Sequence, residues 1–423
     1  MISRRKKRKI RYGRIFICLL LLIGIIALII YLFPKEKSKE IIAQKEVKMI
    51  DITNKSIDEI EIFINKNNLK LETEEEYSYD VEEGKIISQS IKEGTKLEKG
   101  DTIKVIVSKG EIPTSIYSEN KVNELGSVPI MMYHGIHDIS SNSTGHTGGN
   151  VDKDGYNRTA EAFRGDLEFY YQNNYRMIRL TDYIDGNIDV ALGKSPIILT
   201  FDDGKENNMK VLGEKNGELE IDPNCAVGVL EEFKKKYPDY NVTATFFING
   251  GIFDQEEYNE KILKWLVSHG YDVGNHTMTH PDFTKISTEK AKEEVGGLYK
   301  ILESIIPGKY VNIIAMPFGS PYSMSHPNFQ VMLKGTYEGK EYSTKSMLRV
   351  GWEGEVSPFD KDFEPTFLKR IRAYDNNGVE FDIQMNFNIL KNTKYISDGD
   401  KDTIVVPEKE KNRLKTNKRI RTY

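Results

Sequence analysis

The hydrophobic pattern changes period several times along the chain. Residues 15–33 are apolar and uncharged, and at 1.5 Å per residue such a helix spans roughly 28 Å, close to the ~30 Å hydrocarbon thickness of a bilayer. One membrane helix is predicted there. Further on, Ser56-Ile57-Asp58-Glu59 has the form of a capping box, Ile57, Ile60, Phe63 and Ile64 then share one helical face, and Asn67-Asn68 stops the helix. Gly84, Gly94 and Gly100 punctuate short strand-like runs, of which Ile103, Val105 and Val107 alternate most clearly. A small helix-on-sheet domain is predicted over 47–110. From residue 128 the apolar runs "VPIMMYH", "SPIILTF", "NVTATFFI", "DVGN", "NIIAMPF" and "SMLRVG" alternate with helical patterns such as 257–269 and 288–306. That rhythm predicts an α/β fold with a parallel sheet, either a barrel or a doubly wound sheet. Inserts at 138–157 and 205–240 interrupt it.

The intervening segments read as connectors: a charged stalk at 34–46, a second linker at 111–127, and a basic tail at 401–423, solvated at least from Lys409 onward. The folded part of the large domain is thus placed at 128–400. The 423 residues carry a net charge of -4, which argues against a polyanion-binding protein, and no nucleic-acid partner is expected. Arg and Lys at positions 4 to 9, 11 and 14 make residues 1–14 a basic flank, which the positive-inside rule keeps in the cytoplasm while sending the rest outside. A cleaved signal peptide is the alternative. The apolar run is longer than a signal core, and Tyr31-Leu32-Phe33-Pro34 lacks a small-x-small cleavage pattern, so a single-pass cell-membrane anchor with an extracytoplasmic large domain is expected. Cys18 and Cys225 are then expected in different compartments, and no disulfide between them is expected.

Two motifs carry chemistry. In "ILTFDDG" an apolar strand ends in Asp202-Asp203-Gly204, placing two carboxylates at the C-terminal mouth of a buried strand, where β/α folds build active sites; an Asp-Asp-Gly turn is the plainer reading. In "GNHTMTH" His276 and His280 are four apart, so a helical turn would aim both imidazoles at one cation. A carboxylate added to them gives a two-His, one-carboxylate site with open positions, suited to a hydrolytic Zn²⁺ or, alternatively, Co²⁺ or Mn²⁺.

"TFDDG", "HTMTH" and "MPFG", in this order, resemble the polysaccharide deacetylase family (NodB-homology, carbohydrate esterase family 4) over about 128–398. The resemblance implies a barrel-like (β/α) domain, Asp202 as general base, and Asp203, His276 and His280 as metal ligands. Two departures stand out. No histidine follows His326, so the usual late acid is absent, while "VPIMMYHGI" is similar to the start of the permuted branch, which makes His134 the candidate acid with His137 as its rival. Ala315 stands where the family has an arginine that pairs with the base, leaving Arg349, Arg370 or Arg372 as substitutes. Pro317, Phe318 and Trp352 are the expected substrate-binding residues. A core tryptophan is an equal reading of Trp352. "DITNKSIDEIEIFINKNNLKL", "GKIISQSIKEGTKLEKGD" and "TIKVIVSKG" resemble a PASTA domain, with Met49 at a common proline position. Such modules bind peptidoglycan or act as spacers.

The expected activity is metal-dependent N-deacetylation of a cell-wall glycan, peptidoglycan N-acetylglucosamine first, with poly-N-acetylglucosamine or a catalytically silent wall-binding protein as alternatives. His269 reads as a helix-terminal cation, and His146 and His326 as loop residues without partners.

Overall fold

The computed structural model describes residues 24, 25, 28, 46–351, 353–378 and 382–423. The basic flank 1–14, the stalk at 34–45 and nearly all of the predicted membrane helix lie outside the described residues. Among the described residues, no helix is long and apolar enough to cross a membrane. The chain divides into two compact units, 1–112 and 113–423.

In the smaller unit the capping box forms as predicted. The Ser56 hydroxyl accepts from the Glu59 amide at 3.3 Å, and the Glu59 carboxylate accepts from the Ser56 amide at 2.7 Å, satisfying two otherwise orphaned donors at the start of α1 (Ile57–Lys66). Helix α1 buries Ile60 and Ile64. Its partner is a three-stranded sheet of β1 (Lys70–Glu76), β2 (Ile86–Gln89) and β3 (Thr102–Ser108), with β3 central, parallel to β1 and antiparallel to β2. Ile86, Ile103 and Val105 complete the core with Met49 and Ile52. Met49, which departs from the expected proline, is a core residue.

The larger unit is built on a curled, wholly parallel sheet. Its path runs through β4 (Ile130–Tyr133), β5 (Ser195–Phe201), β6 (Thr245–Ile248), β7 (Asp272–Asn275), β8 (Ile313–Ala315), β9 (Ser346–Leu348) and β10 (Phe367–Leu368), and at the other edge β11 (Ile371–Arg372) pairs with β4. A short strand, Tyr175–Met177, pairs with the start of β5. The two outermost strands, β10 and β11, are separated only by Lys369 and Arg370, so one stretch of chain bridges the two edges of a barrel-like layer.

Period-two alternation sorts the side chains of β5. Ile197, Leu199 and Phe201 join the large outer core against α2 (Ala160–Gln172) and α3 (Ala226–Lys236), whereas Ile198 joins a second core that includes Ile130, Ile313, Leu348 and Leu368. Thr200 and Asp202 share the parity of Ile198, and the inner face therefore changes from apolar to polar toward the C-terminal ends of the strands. The helices predicted at 257–269 and 288–306 form as α4 (Asn259–Ser268) and α5 (Thr288–Ile305).

Three connector readings are corrected. The linker expected at 111–127 is folded: a short helix, Thr114–Asn120, buries Tyr117, and Val122 and Leu125 are also buried. The insert 205–240 carries α3, a regular member of the layer, in addition to an antiparallel hairpin at 211–221. The basic tail is a folded strap, in which Thr403–Val406 pairs in parallel with Arg419–Thr422. Ile404, Val405 and Val406 are buried, and Tyr423 donates its hydroxyl to the Val122 carbonyl at 2.8 Å. Composition suggested a tail because Lys and Arg dominate the segment; three consecutive apolar residues at its start are enough to dock it.

Candidate active site

Asp202 and Asp203 leave β5 in opposite directions. Asp203 has φ 74° and Gly204 φ 55°, a left-handed pair that turns the second carboxylate away from the first. A Cβ on Gly204 would lie 2.7 Å from the Ile248 side chain, so glycine is required both by conformation and by the approach of β6.

The carboxylate of Asp203 meets two imidazoles. His276 Nε2 lies 3.2 Å and His280 Nε2 3.6 Å from Asp203 Oδ1, and a ligand atom from each of the three residues lies within 4.8 Å of the others. The pair does not sit on a helical turn. It spans an irregular loop after β7, with Thr277 at φ 67° and His280 at φ 57°, and the four-residue spacing works because the loop folds back. His276 is 1% exposed. Its Nδ1 faces the Ala315 carbonyl at 2.8 Å, which holds the proton on that nitrogen and leaves Nε2 with its lone pair toward the site. Nε2 is buried without a hydrogen-bond partner. An orphaned buried nitrogen beside a second imidazole and a carboxylate fits a divalent cation, and the N₂O donor set suits zinc or a neighbouring transition metal.

Asp202 is 2% exposed and is held by Arg370, which is fully buried. The guanidinium grips both carboxylate oxygens, Nη1 to Oδ1 at 2.8 Å and Nη2 to Oδ2 at 2.7 Å. Its remaining donors reach Thr200 Oγ1 and the Arg349 carbonyl, both at 3.1 Å. Burial alone would raise the pKa of Asp202; the Arg370 charge and its paired hydrogen bonds overcome that and keep it below the ordinary carboxylate value. Arg370 thus fills the role left vacant at Ala315. It comes from the link after β10, which lies two strands along the sheet from Ala315 in β8. Of the three arginines considered, Arg349 contributes its carbonyl and Arg372 stacks on tyrosines.

His134 follows β4 and places Nε2 4.0 Å from Asp202 Oδ2. Its ring packs edge-on against Tyr156 at 4.9 Å, and the Asn208 amide donates to its carbonyl at 2.6 Å. Burial lowers the pKa of His134, against the pull of Asp202 and Asp203. The rival His137 instead places Nε2 3.1 Å from Asn207 Nδ2 and 3.4 Å from Asn157 Oδ1.

Pro317 is buried and Phe318 is 56% exposed. The Phe318 ring lies 4.7 Å from His280, edge to face, so it walls the ligand site. Trp352 lies outside the described residues. His269 caps α4 and stacks on Trp265 at 3.8 Å, and His326, expected to lack a partner, accepts the Asn328 amide at 3.1 Å as the cap of helix Pro327–Leu333.

Two family profiles match the chain, "Polysaccharide deacetylase" over residues 189–330 and "PASTA domain" over residues 47–109. The chain carries a polysaccharide deacetylase domain and a PASTA domain. Among curated proteins it is 28% identical over 128 residues to a chitooligosaccharide deacetylase of Bradyrhizobium, covering 30% of this chain and 48% of that one. It is 29% identical over 126 residues to a peptidoglycan-N-acetylglucosamine deacetylase of Bacillus cereus, covering 30% and 37%. The match therefore spans less than half the length of these relatives. Among solved structures, the Streptococcus pyogenes deacetylase PplD in complex with acetate overlaps 63% of this chain and 98% of its own, with 18% identity and a TM-score of 0.44. The deacetylase profile begins at residue 189 and so contains Asp202, Asp203, His276 and His280; His134 and Arg370 fall on either side of it.

Proposed function

We propose that the larger unit is a metal-dependent N-deacetylase of a cell-wall glycan, with peptidoglycan N-acetylglucosamine as substrate. The observation that carries this reading is the convergence of Asp203, His276 and His280 around one point beside an Asp202 neutralised by Arg370. A cation bound there would polarise an acetamide carbonyl and acidify a water molecule. Asp202 is ionised and fixed in orientation, so it accepts the proton of the attacking water. His134 faces it across the cleft and donates a proton to the departing sugar nitrogen. Arg370 stays protonated throughout and keeps Asp202 aligned. Phe318 shields the ligand histidine from one side.

The substrate assignment rests on the domain pairing, a PASTA domain preceding a deacetylase domain, and on the Bacillus cereus relative, which is named for peptidoglycan N-acetylglucosamine. The basic flank and apolar run at 15–33 support a single-pass anchor with both domains outside the cell, within reach of the wall. Acetate release from peptidoglycan and from poly-N-acetylglucosamine oligomers, measured side by side on residues 47–423 supplied with Zn²⁺, tests the reading. Faster release from peptidoglycan is expected. Release from the exopolysaccharide alone would reassign the substrate, and release from neither would end the deacetylase reading.

A further inference from the structure

The sequence Arg370-Ile371-Arg372-Ala373 places two arginines on one face of a strand and two core residues on the other. Ile371 and Ala373 belong to the outer core, so Arg370 and Arg372 share the inner, site-facing parity. Arg370 is engaged by Asp202. Arg372 lies in register with Met132, two residues before His134, and the following amide, Ala373 N, bonds the Met132 carbonyl at 3.1 Å. It therefore stands one layer above Arg370, at the mouth. Its guanidinium sits 5.2 Å from the centroid of Tyr156 and 4.6 Å from that of Tyr374, and the same Tyr156 ring packs against His134 at 4.9 Å. Among the described residues no carboxylate pairs with Arg372.

A guanidinium held on ring faces keeps its orientation while its in-plane N–H donors remain available. The Asp202 carboxylate is already held on both oxygens by Arg370. Such a fork at the rim of a glycan site fits a planar or tetrahedral oxyanion.

We infer that Arg372 is a specificity-determining residue that binds an anionic substituent of the glycan, a carboxylate or a phosphodiester carried on or next to the sugar whose acetamide enters the site. The inference rests on the glycan deacetylase reading. It implies that the enzyme prefers decorated chains, such as a sugar with a free lactyl carboxylate, over uniform neutral N-acetylglucosamine polymer. The tyrosine pair acts as the support that fixes the fork, and Tyr156 links its position to that of His134.

The test compares wild type, Arg372→Gln and Arg372→Lys on three glycans of equal length: neutral N-acetylglucosamine oligomers, oligomers with a free lactyl carboxylate, and oligomers with a phosphodiester substituent. Binding is read by calorimetry and acetate release in parallel. Wild type is expected to bind one anionic glycan about 10- to 100-fold more tightly than the neutral one, the range for a charged hydrogen-bonded contact. Arg372→Gln should bring that ratio close to one, and Arg372→Lys should retain part of it. Whichever anionic arm shows the preference identifies the source of the oxyanion. An equal affinity of wild type for neutral and anionic glycans, or a ratio unchanged in Arg372→Gln, overturns the inference. Absence of acetate release with the binding preference intact overturns the deacetylase reading instead and leaves the anion site standing.

Discussion

The buried pair between Asp202 and Arg370 keeps the carboxylate ionised and also makes it fragile. Removing one partner of such a pair leaves an uncompensated buried charge, at a cost of about 3–5 kcal/mol. Arg370→Met should therefore lower unfolding free energy by that amount in denaturant titration and depress acetate release. Asp202→Asn combined with Arg370→Met should recover much of the stability with none of the activity. Equal stability of Arg370→Met and wild type would contradict the pairing. His134→Gln should reduce acetate release by about 10²–10⁴-fold while metal content, read by elemental analysis, stays at the wild-type level; loss of the metal would make His134 a structural residue. The sequence exposed Asp202, Asp203, His276 and His280 because each pair sits within one short motif. Arg370 could only be named among three arginines, since it lies 168 positions from Asp202 and reaches it through strand order. The signal that could have singled it out is the alternation of Arg370 and Arg372 with Ile371 and Ala373.

The elements follow the same division between local and long-range information. Strand and helix positions in the large unit were legible from periodicity, and α1 from its capping box, because those signals are carried by neighbours in sequence. The folded strap 401–423 is not legible in sequence for the complementary reason. Its docking depends on a buried acidic cluster assembled from distant residues: Glu124 accepts from the Tyr395 hydroxyl at 2.6 Å and the Val405 amide at 2.7 Å. Burial, reinforced by Asp398, pushes the pKa of Glu124 well up, and burial moves Asp398 to about 7. A carboxyl raised above its unfolded value of about 4 stabilises fully below that value, and the contribution is lost as pH rises through the folded one. Thermal stability of the large unit should therefore fall between about pH 4 and pH 7 from this source. Asp398→Asn, which can still accept the Asp400 amide, should flatten that slope. A slope of unchanged size in the variant would remove Asp398 as its origin.

At the scale of the whole molecule, two compact units with separate cores should respond separately to metal. A ligand that binds the native state stabilises only the cooperative unit that holds its site. Scanning calorimetry of residues 47–423 with added Zn²⁺ should shift the transition of the large unit upward by several degrees and leave the transition of the PASTA domain in place. A joint shift would mean that the units unfold as one.

The central claim is that Asp203, His276 and His280 hold the metal on which deacetylation depends. Chelator-stripped protein titrated with Zn²⁺ while acetate release from peptidoglycan is recorded tests it most directly. Activity should rise from near zero in proportion to added metal and level off at one equivalent, with Asp203→Ala silent throughout. Full activity in the stripped protein, or a rise in Asp203→Ala equal to that of wild type, would contradict the account.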